Sequence, residues 1–173
     1  MSDLQSEIEA FFSDYASRWN GQDYETLEDL WDTGDPLPFY RPMEVDRVIT
    51  GWDNLRKYWN PGVKIIDGLW NEYVDIVPKL ITDDVCVVAT VLNWNIKARG
   101  AKKAQSGSDP CIAVLKRTPD GWRMVAYVEA CMHPATYVRK LFERQARPSF
   151  LQFLEELGGD GPKEKTPGPG YWS

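Results

Sequence analysis

Four long runs rich in Val, Ile, Tyr and Trp fill the middle of the chain and constrain its fold more than any other feature. They cover residues 64–80, 85–97, 110–117 and 122–133. β-Branched and aromatic residues at this density predict strands. Because tight-turn sequences at residues 82–84 and 118–121 separate two pairs of runs, these strands are predicted to pair antiparallel. The polar stretch 99–109 is predicted to be a loop or a polar hairpin.

Helical periodicity precedes these strands. Apolar residues at three-to-four spacing predict a first helix that ends near Trp19, a second over 24–31 and a third over 51–59. Prolines at 36, 38 and 42 keep the segment between the second and third helices extended and unfit for a sheet interior. A final helix is predicted over 134–145, with a continuation over 150–157. Helices followed by an antiparallel meander predict an α+β fold.

Length and composition limit the organisation of the chain. Its 173 residues fit one domain, predicted over 1–157. Residues 158–173 are rich in Gly, Pro and charge, which predicts a flexible tail. The net charge of -6 argues against a nucleic-acid partner, and no run approaches the roughly 20 apolar residues of a membrane span. No membrane or nucleic-acid partner is therefore expected.

The three cysteines and the lone His133 bear on cofactors and compartment. Cys86, Cys111 and Cys131 are dispersed in apolar runs, which predicts buried free thiols in a reducing cytoplasm. No metal-ligand cluster, Gly-rich phosphate loop or nucleophilic triad is recognisable. We therefore expect no metal site and no cofactor.

Residues of the predicted helices carry a resemblance to a known superfamily. They are Tyr15, Trp19, Asn20, Asp23, Leu27, Leu30 and Trp31, followed by Gly51, Trp52, Leu55 and Trp59. Over residues 5–145 the chain resembles the NTF2-like (SnoaL-like) superfamily. The resemblance implies a cone in which N-terminal helices pack in the concavity of a curved antiparallel sheet. It also implies a deep apolar pocket and a homodimer formed through the outer face of the sheet.

The resemblance assigns a role to one residue and excludes two activities. Tyr15 matches the oxyanion-hole tyrosine of ketosteroid isomerase and is taken as a catalytic candidate. The base of that enzyme falls near residues 39–41 and its second acid near Ala113, where no carboxylate occurs. Ketosteroid isomerisation needs both groups, so it is rejected. The two-histidine arrangement of scytalone dehydratase is impossible with one histidine.

Polar side chains continue an apolar face of the second long strand. Asn93, Asn95 and Lys97 have the same parity as Val87, Ala89 and Val91. The resemblance implies that this parity points into the cone. Lys97 is then a catalytic candidate, and Asn93 and Asn95 are candidates for substrate binding. A solvated sheet end or a dimer surface is the alternative.

The last strand contains the most conspicuous carboxylate. Tyr127, Glu129 and His133 alternate on one face. A desolvated Glu129 has a raised pKa suited to general acid–base catalysis, and His133 titrates near neutral pH. Both are catalytic candidates, with Tyr127 as a substrate contact. The alternatives are an ion pair of Glu129 on a dimer face and an ordinary strand-end role for His133.

The Pro-rich segment and the aromatic side chains supply the remaining candidates. By the resemblance, Asp35, Tyr40 and Arg41 rim the cone mouth, Asp35 as a catalytic residue and the other two as substrate contacts. A rim ion pair is the alternative. The chain has eight Trp, eight Tyr and six Phe, which favours an aromatic ligand with Trp52 and Trp59 among its contacts.

These features predict a cofactor-independent lyase or dehydratase that acts on a small aromatic molecule. Within the superfamily the aromatic content resembles the bacterial diarylpropane lyases of lignin degradation. That resemblance implies conversion of a diarylpropane diol to a stilbene with release of formaldehyde. A SnoaL-like polyketide cyclase or isomerase and a non-catalytic small-molecule-binding module are the alternatives.

Overall fold

The computed structural model describes residues 4–60 and 65–130, together with three single helical positions, Ser149, Gln152 and Glu156. The chain divides into two compact units, residues 1–132 and 133–173. All the elements named below belong to the first unit. Apart from those three positions, the helices predicted for 134–157 and the tail predicted for 158–173 lie outside the described residues. A single domain over 1–157 stays a prediction.

Three helices form where the periodicity predicts them. They are α1 (Leu4–Asn20), a 3₁₀ helix (Tyr24–Leu30) and α2 (Trp52–Trp59). In α1, Ile8, Phe12 and Tyr15 are fully buried, since their spacing places them on one face of the helix. The helix ends at Asn20, and the N–H of the following Gly21 donates to Ser17 O at 2.9 Å.

Six strands form one mixed sheet. They are β1 (Phe39–Arg41), β2 (Ile49–Thr50), β3 (Ile66–Thr82), β4 (Val85–Ala98), β5 (Gln105–Thr118) and β6 (Gly121–Glu129). Their order is β2-β1-β6-β5-β4-β3. All neighbouring pairs are antiparallel except β1 and β6, which are parallel. The antiparallel pairing of the four long strands is confirmed.

Residues 99–109 were predicted to be a loop or a polar hairpin, and the structure has the hairpin, in which 105–109 form the start of β5 and pair with 92–96 of β4. Backbone pairing continues there because it does not depend on side-chain polarity. The prediction for the Pro-rich segment is wrong, because β1 lies inside the sheet between β2 and β6. Its three residues lie between Pro38 and Pro42, so each keeps the N–H that a ladder needs.

The parity expected for β4 is also wrong. Cys86, Val88, Thr90 and Leu92 are buried, and three of them join the core cluster that includes α1. Side chains alternate along a strand, so Asn93, Asn95 and Lys97 lie on the opposite, outer face. The pattern did not distinguish the faces because residues 85–92 are apolar on both.

A β-bulge in β6 decides which way its last residues point. Val114 pairs with Ala126 but Leu115 pairs with Met124, so Val125 is an extra residue on β6. Met124 is buried before the bulge and Tyr127 is buried after it. The bulge therefore turns Tyr127 and Glu129 toward the inner face, the one on which the helices pack.

Candidate acid–base site

Glu129 is held at the end of β6 by two hydrogen bonds. The Tyr40 hydroxyl donates to Glu129 Oε1 at 2.5 Å, and the Met43 N–H donates to Oε2 at 3.0 Å. Tyr40 lies beside the end of β6 because β1 runs parallel to β6, and Tyr40 pairs with Tyr127, two residues before Glu129. Both carboxylate oxygens are thus fixed by groups from the β1 segment.

Burial raises the pKa of Glu129 to about 7. The hydrogen bonds from Tyr40 and Met43 lower the pKa because they favour the ionised form, whereas the charges of Glu44 and Asp109 raise it further. A carboxyl with this pKa is populated in both forms near neutral pH. It can therefore serve as a general acid or as a general base.

Five tyrosines, called here the tyrosine cluster, surround this carboxyl. They are Tyr15, Tyr40, Tyr58, Tyr73 and Tyr127. The rings of Tyr40 and Tyr127 lie 5.2 Å apart, and the hydroxyls of Tyr73 and Tyr127 are 3.0 Å apart. Burial raises the pKa of every member, and the charge of Glu129 adds to that effect. The phenols are therefore neutral hydrogen-bond donors at physiological pH.

Two buried donors in this region lack an acceptor. The Tyr15 hydroxyl and the Trp31 Nε1–H have no hydrogen-bond partner within the described part of the chain. Trp19 and Trp31 lie near Tyr15 and favour its ionised form, yet neither completes a hydrogen bond of ordinary geometry. Buried donors are almost always satisfied in proteins, so these two are suited to a ligand oxygen.

The sequence analysis missed a second carboxyl on the inner face. Asp109 is only 4% exposed, and its Oδ2 accepts the Trp94 Nε1–H at 2.5 Å. Burial raises its pKa. Because residues 99–109 were predicted only as a loop or a polar hairpin, Asp109 was not assigned to a strand face. Its position before the Val/Leu-rich run of β5 was the available signal.

Comparison with known proteins identifies the family. The sequence profile of the SnoaL-like domain matches residues 8–134, which is most of the chain. The chain belongs to the SnoaL-like family. Comparison with curated protein sequences gives no match.

Solved structures show the same fold in this SnoaL-like chain. A provisionally named scytalone dehydratase from Novosphingobium aromaticivorans is 13% identical, with a TM-score of 0.65 over 74% of this chain and 83% of the other. A provisionally named NTF2-like dehydratase from Streptomyces avermitilis is 16% identical, with a TM-score of 0.65 over 74% and 96%. An NTF2-like protein from N. aromaticivorans is 18% identical, with a TM-score of 0.59 over 82% and 97%. The predicted NTF2-like α+β cone is confirmed.

Four of the predicted site residues meet in the SnoaL-like core. Tyr15, Tyr40, Tyr127 and Glu129 approach one another through the ring contacts and the hydrogen bond described above. They come from α1, β1 and β6, so the topology rather than sequence proximity brings them together.

Other predicted site residues lie apart from this group. Asp35 accepts the Leu37 N–H at 2.9 Å and Trp52 Nε1–H donates to the Asp35 carbonyl at 3.0 Å, so the two form a local turn contact. Arg41 donates to the carbonyls of Pro42 and Val45. Trp59 is buried in the core, 5.5 Å from the Trp31 ring.

The outer-face residues have contacts of their own. Asn93 Oδ1 accepts the Ser108 hydroxyl at 2.6 Å, Asn95 is exposed, and Lys97 donates to the carbonyls of Ala98 and Ala101. His133 lies outside the described residues. Asn93, Asn95 and Lys97 therefore do not meet Glu129 through the inner face.

A groove of about 620 Å³ runs between α1 and β3. Its lining includes the aromatic Phe12 and Tyr73 and the acidic Glu9, Glu72 and Asp75. Glu129 is not among the lining residues. The groove therefore reaches the tyrosine cluster through Tyr73 without including the carboxyl.

Within residues 4–60 and 65–130, no three His, Cys, Asp or Glu side chains are arranged to hold a metal ion. No helix in those ranges has the length and apolar character that crossing a membrane requires.

Proposed function

We propose that this SnoaL-like protein is a cofactor-independent lyase or dehydratase that acts on a small aromatic molecule. The observation that carries the proposal is Glu129, a partly buried carboxyl with a pKa of about 7 that Tyr40 and Met43 hold in a fixed orientation. Loss of a hydroxyl group requires a proton for the leaving oxygen, and an acid of this strength supplies it at neutral pH.

The surroundings of Glu129 favour an aromatic substrate that carries oxygen. Aromatic rings pack well against tyrosine side chains in edge-to-face contacts, and the tyrosine cluster presents such rings from five elements. The unsatisfied Tyr15 hydroxyl is a donor for a phenolic oxygen of the ligand. Some relatives of this fold are named as dehydratases, which agrees with this reaction class.

The specific substrate that we propose is a diarylpropane diol with a para-hydroxyl group. Glu129 donates a proton to the benzylic hydroxyl, which leaves as water while the phenolic oxygen loses its proton to solvent, and a quinone methide forms. The carboxylate then takes the proton of the terminal hydroxyl. The adjacent C–C bond breaks, formaldehyde departs, and the electron pair of that bond forms the stilbene double bond and restores the aromatic ring as a phenolate, which regains a proton from solvent. The products are stilbene, formaldehyde and water.

Turnover of a 1,2-diarylpropane-1,3-diol tests this proposal. We expect the wild-type protein to release formaldehyde and to produce the near-ultraviolet absorbance of a stilbene. Removal of a general acid–base group costs on the order of 10²–10⁴-fold in rate, so Glu129→Gln is expected to lose about that much. Glu25→Gln, an exposed change of the same type, is the matched control and is expected to be silent.

The outcomes separate the alternatives. Equal turnover by wild type and Glu129→Gln contradicts the assigned role of Glu129. Absence of turnover on aromatic diols, with Glu129-dependent cyclisation of a polyketide, favours a SnoaL-like cyclase instead. Binding of aromatic ligands without any turnover identifies a non-catalytic binding module.

We also propose that the protein acts in the cytoplasm as a homodimer. Cys86 and Cys111 are buried and unpaired, as is usual for proteins of a reducing compartment. The outer sheet face is apolar at several exposed positions, which favours a second copy of the chain as its cover.

A further inference from the structure

Asp109 and Glu129 occupy neighbouring positions on the inner face of the sheet. Cys111 of β5 pairs directly with Glu129 of β6. Asp109 precedes Cys111 by two residues along the strand and so points to the same face. The side chain of Asp109 is buried, so little solvent separates it from the site.

Trp94 and Gly107 hold the Asp109 carboxyl in this position. Gly107 pairs with Trp94, and a Cβ atom at position 107 would lie 2.5 Å from Trp94 Cζ2. The indole therefore lies across the bare backbone of Gly107, from where its Nε1–H reaches Asp109 Oδ2. A larger residue at 107 would displace the ring.

Few groups around Glu129 change charge near neutral pH. The tyrosine cluster faces it from α1, α2, β1, β3 and β6, and burial keeps those phenols neutral. Burial likewise raises the pKa of Cys111 to about 12. The charges with the largest effect on Glu129 are those of Glu44 and Asp109, and neither Asp109 nor Glu129 forms an ion pair in the described part of the chain.

Glu44 and Asp109 differ in their exposure to solvent. Glu44 has the larger effect on Glu129, but it is exposed and accepts the Tyr58 hydroxyl at 2.5 Å. Salt screens exposed charges strongly and buried charges weakly. The influence of Asp109 on Glu129 is therefore expected to persist at ionic strengths that suppress the influence of Glu44.

We infer that Asp109 acts through Glu129: its buried carboxylate, held by Trp94, makes Glu129 keep its proton to a higher pH, in high salt as well as in low salt. Like charges that share a site favour protonation of one of them. Because Glu129 is the reactive group of the proposed function, the role of Asp109 in catalysis rests on that function. The effect of Asp109 on the pH at which Glu129 loses its proton is measurable without a substrate.

Titration of Glu129 by ¹³C NMR of glutamate-labelled full-length protein tests this inference. The Glu129 carboxyl resonance is assigned by its absence in Glu129→Gln. In Asp109→Asn, which keeps an oxygen for the Trp94 N–H, we expect the Glu129 midpoint to move to lower pH. We expect the displacement to remain at high salt, whereas the displacement caused by Glu44→Gln shrinks.

Controls keep the test independent of folding and turnover. Asp120→Asn makes the same charge change in the β5–β6 turn and is expected to leave the midpoint in place. Asp109→Ser is a second neutral variant, smaller than Asp and still polar, and it serves if Asp109→Asn does not fold. A Glu129 midpoint that stays or rises in the folded neutral variant overturns the inference. If only the proposed function is wrong, the Glu129 midpoint moves as expected in the variants, but the wild-type protein does not turn over the diol.

Discussion

At the scale of single residues, burial of Glu129 determines both its acidity and its effect on stability. Its pKa is about 7 in the folded protein, against an ordinary value of 4.5. A carboxyl whose folded pKa is raised favours folding when protonated, and this contribution is lost as the pH rises from the unfolded value through the folded one. The native state therefore weakens between about pH 4.5 and 7 because of Glu129.

Glu129→Gln tests this effect on stability. Gln is neutral at every pH, so the free energy of unfolding of the variant, relative to wild type, is expected to increase from pH 4 to pH 8. The full change is on the order of 3 kcal/mol. The poorer hydrogen bonding of the amide with Tyr40 and Met43 lowers the stability of the variant by the same amount at every pH. Urea denaturation at several pH values measures the change. A difference in the free energy of unfolding that does not change with pH would contradict the raised pKa of Glu129.

Tyr40→Phe is expected to change the acidity of Glu129 in the opposite direction from Asp109→Asn. The Tyr40 hydroxyl donates to the carboxylate and so favours its ionised form. Without it, the midpoint of the Glu129 titration is expected to move to higher pH. Tyr58→Phe is the control, since that hydroxyl donates to Glu44, and a larger upward displacement in Tyr58→Phe than in Tyr40→Phe would refute the assignment.

Sequence reasoning found the central residues because their chemistry was unusual for their surroundings. A carboxylate in an apolar strand singled out Glu129, and the family resemblance singled out Tyr15. Asp109 was missed because Gly107 and Ser108 beside it are typical of loops, while its burial depends on pairing with β4. Lys97 was placed on the wrong face because the alternation of β4 does not say which face a helix covers, and the face was taken from the family resemblance instead.

At the scale of elements, the lengths of the strands and the positions of their turns were predictable from the sequence. Which side chains lie on the inner face of the sheet was not. β-Branched residues and turn sequences depend on local chemistry, and they predicted β3, β4 and β6 closely. The bulge at Val125 depends on pairing across strands, which no local pattern records. That bulge rather than the alternation of β6 as a whole decides where Glu129 points.

Gly107→Ala tests the packing of β4 against β5. The new methyl group would meet the Trp94 indole at 2.5 Å, and overpacking of this kind costs about 1–3 kcal/mol. Gly68→Ala on β3 is the matched control, because no atom lies within 4 Å of its added Cβ. Thermal denaturation of the two variants compares them. Equal midpoints would show that Trp94 does not lie across Gly107.

At the scale of the whole molecule, the outer sheet face bears on assembly. Its central groove, of about 320 Å³, is lined by Ala89, Val91, Pro110, Ile112 and Val128 among others, and Ile112 is 44% exposed. Apolar patches of this kind mark interaction surfaces. We propose that a second copy of the chain covers this patch, since in a twofold dimer the same patch of each chain forms the interface.

Ile112→Glu is expected to convert the dimer to a folded monomer, because it places a charge at the centre of the patch. Light scattering of wild type and variant at micromolar concentration measures the mass, which is 19.8 kDa for one chain. Leu37→Glu, at a loop position 63% exposed, is the control and is expected to remain dimeric. A monomeric wild type would exclude this assembly.

The pH at which Glu129 gains its proton in the folded protein tests the central claim most directly. Carboxyl ¹³C NMR from pH 3 to pH 9 measures it without a substrate. A midpoint at about 7 is predicted, because burial outweighs the hydrogen bonds from Tyr40 and Met43. A midpoint near 4.5, the ordinary value, would contradict the claim that this carboxyl is the acid–base group of the site.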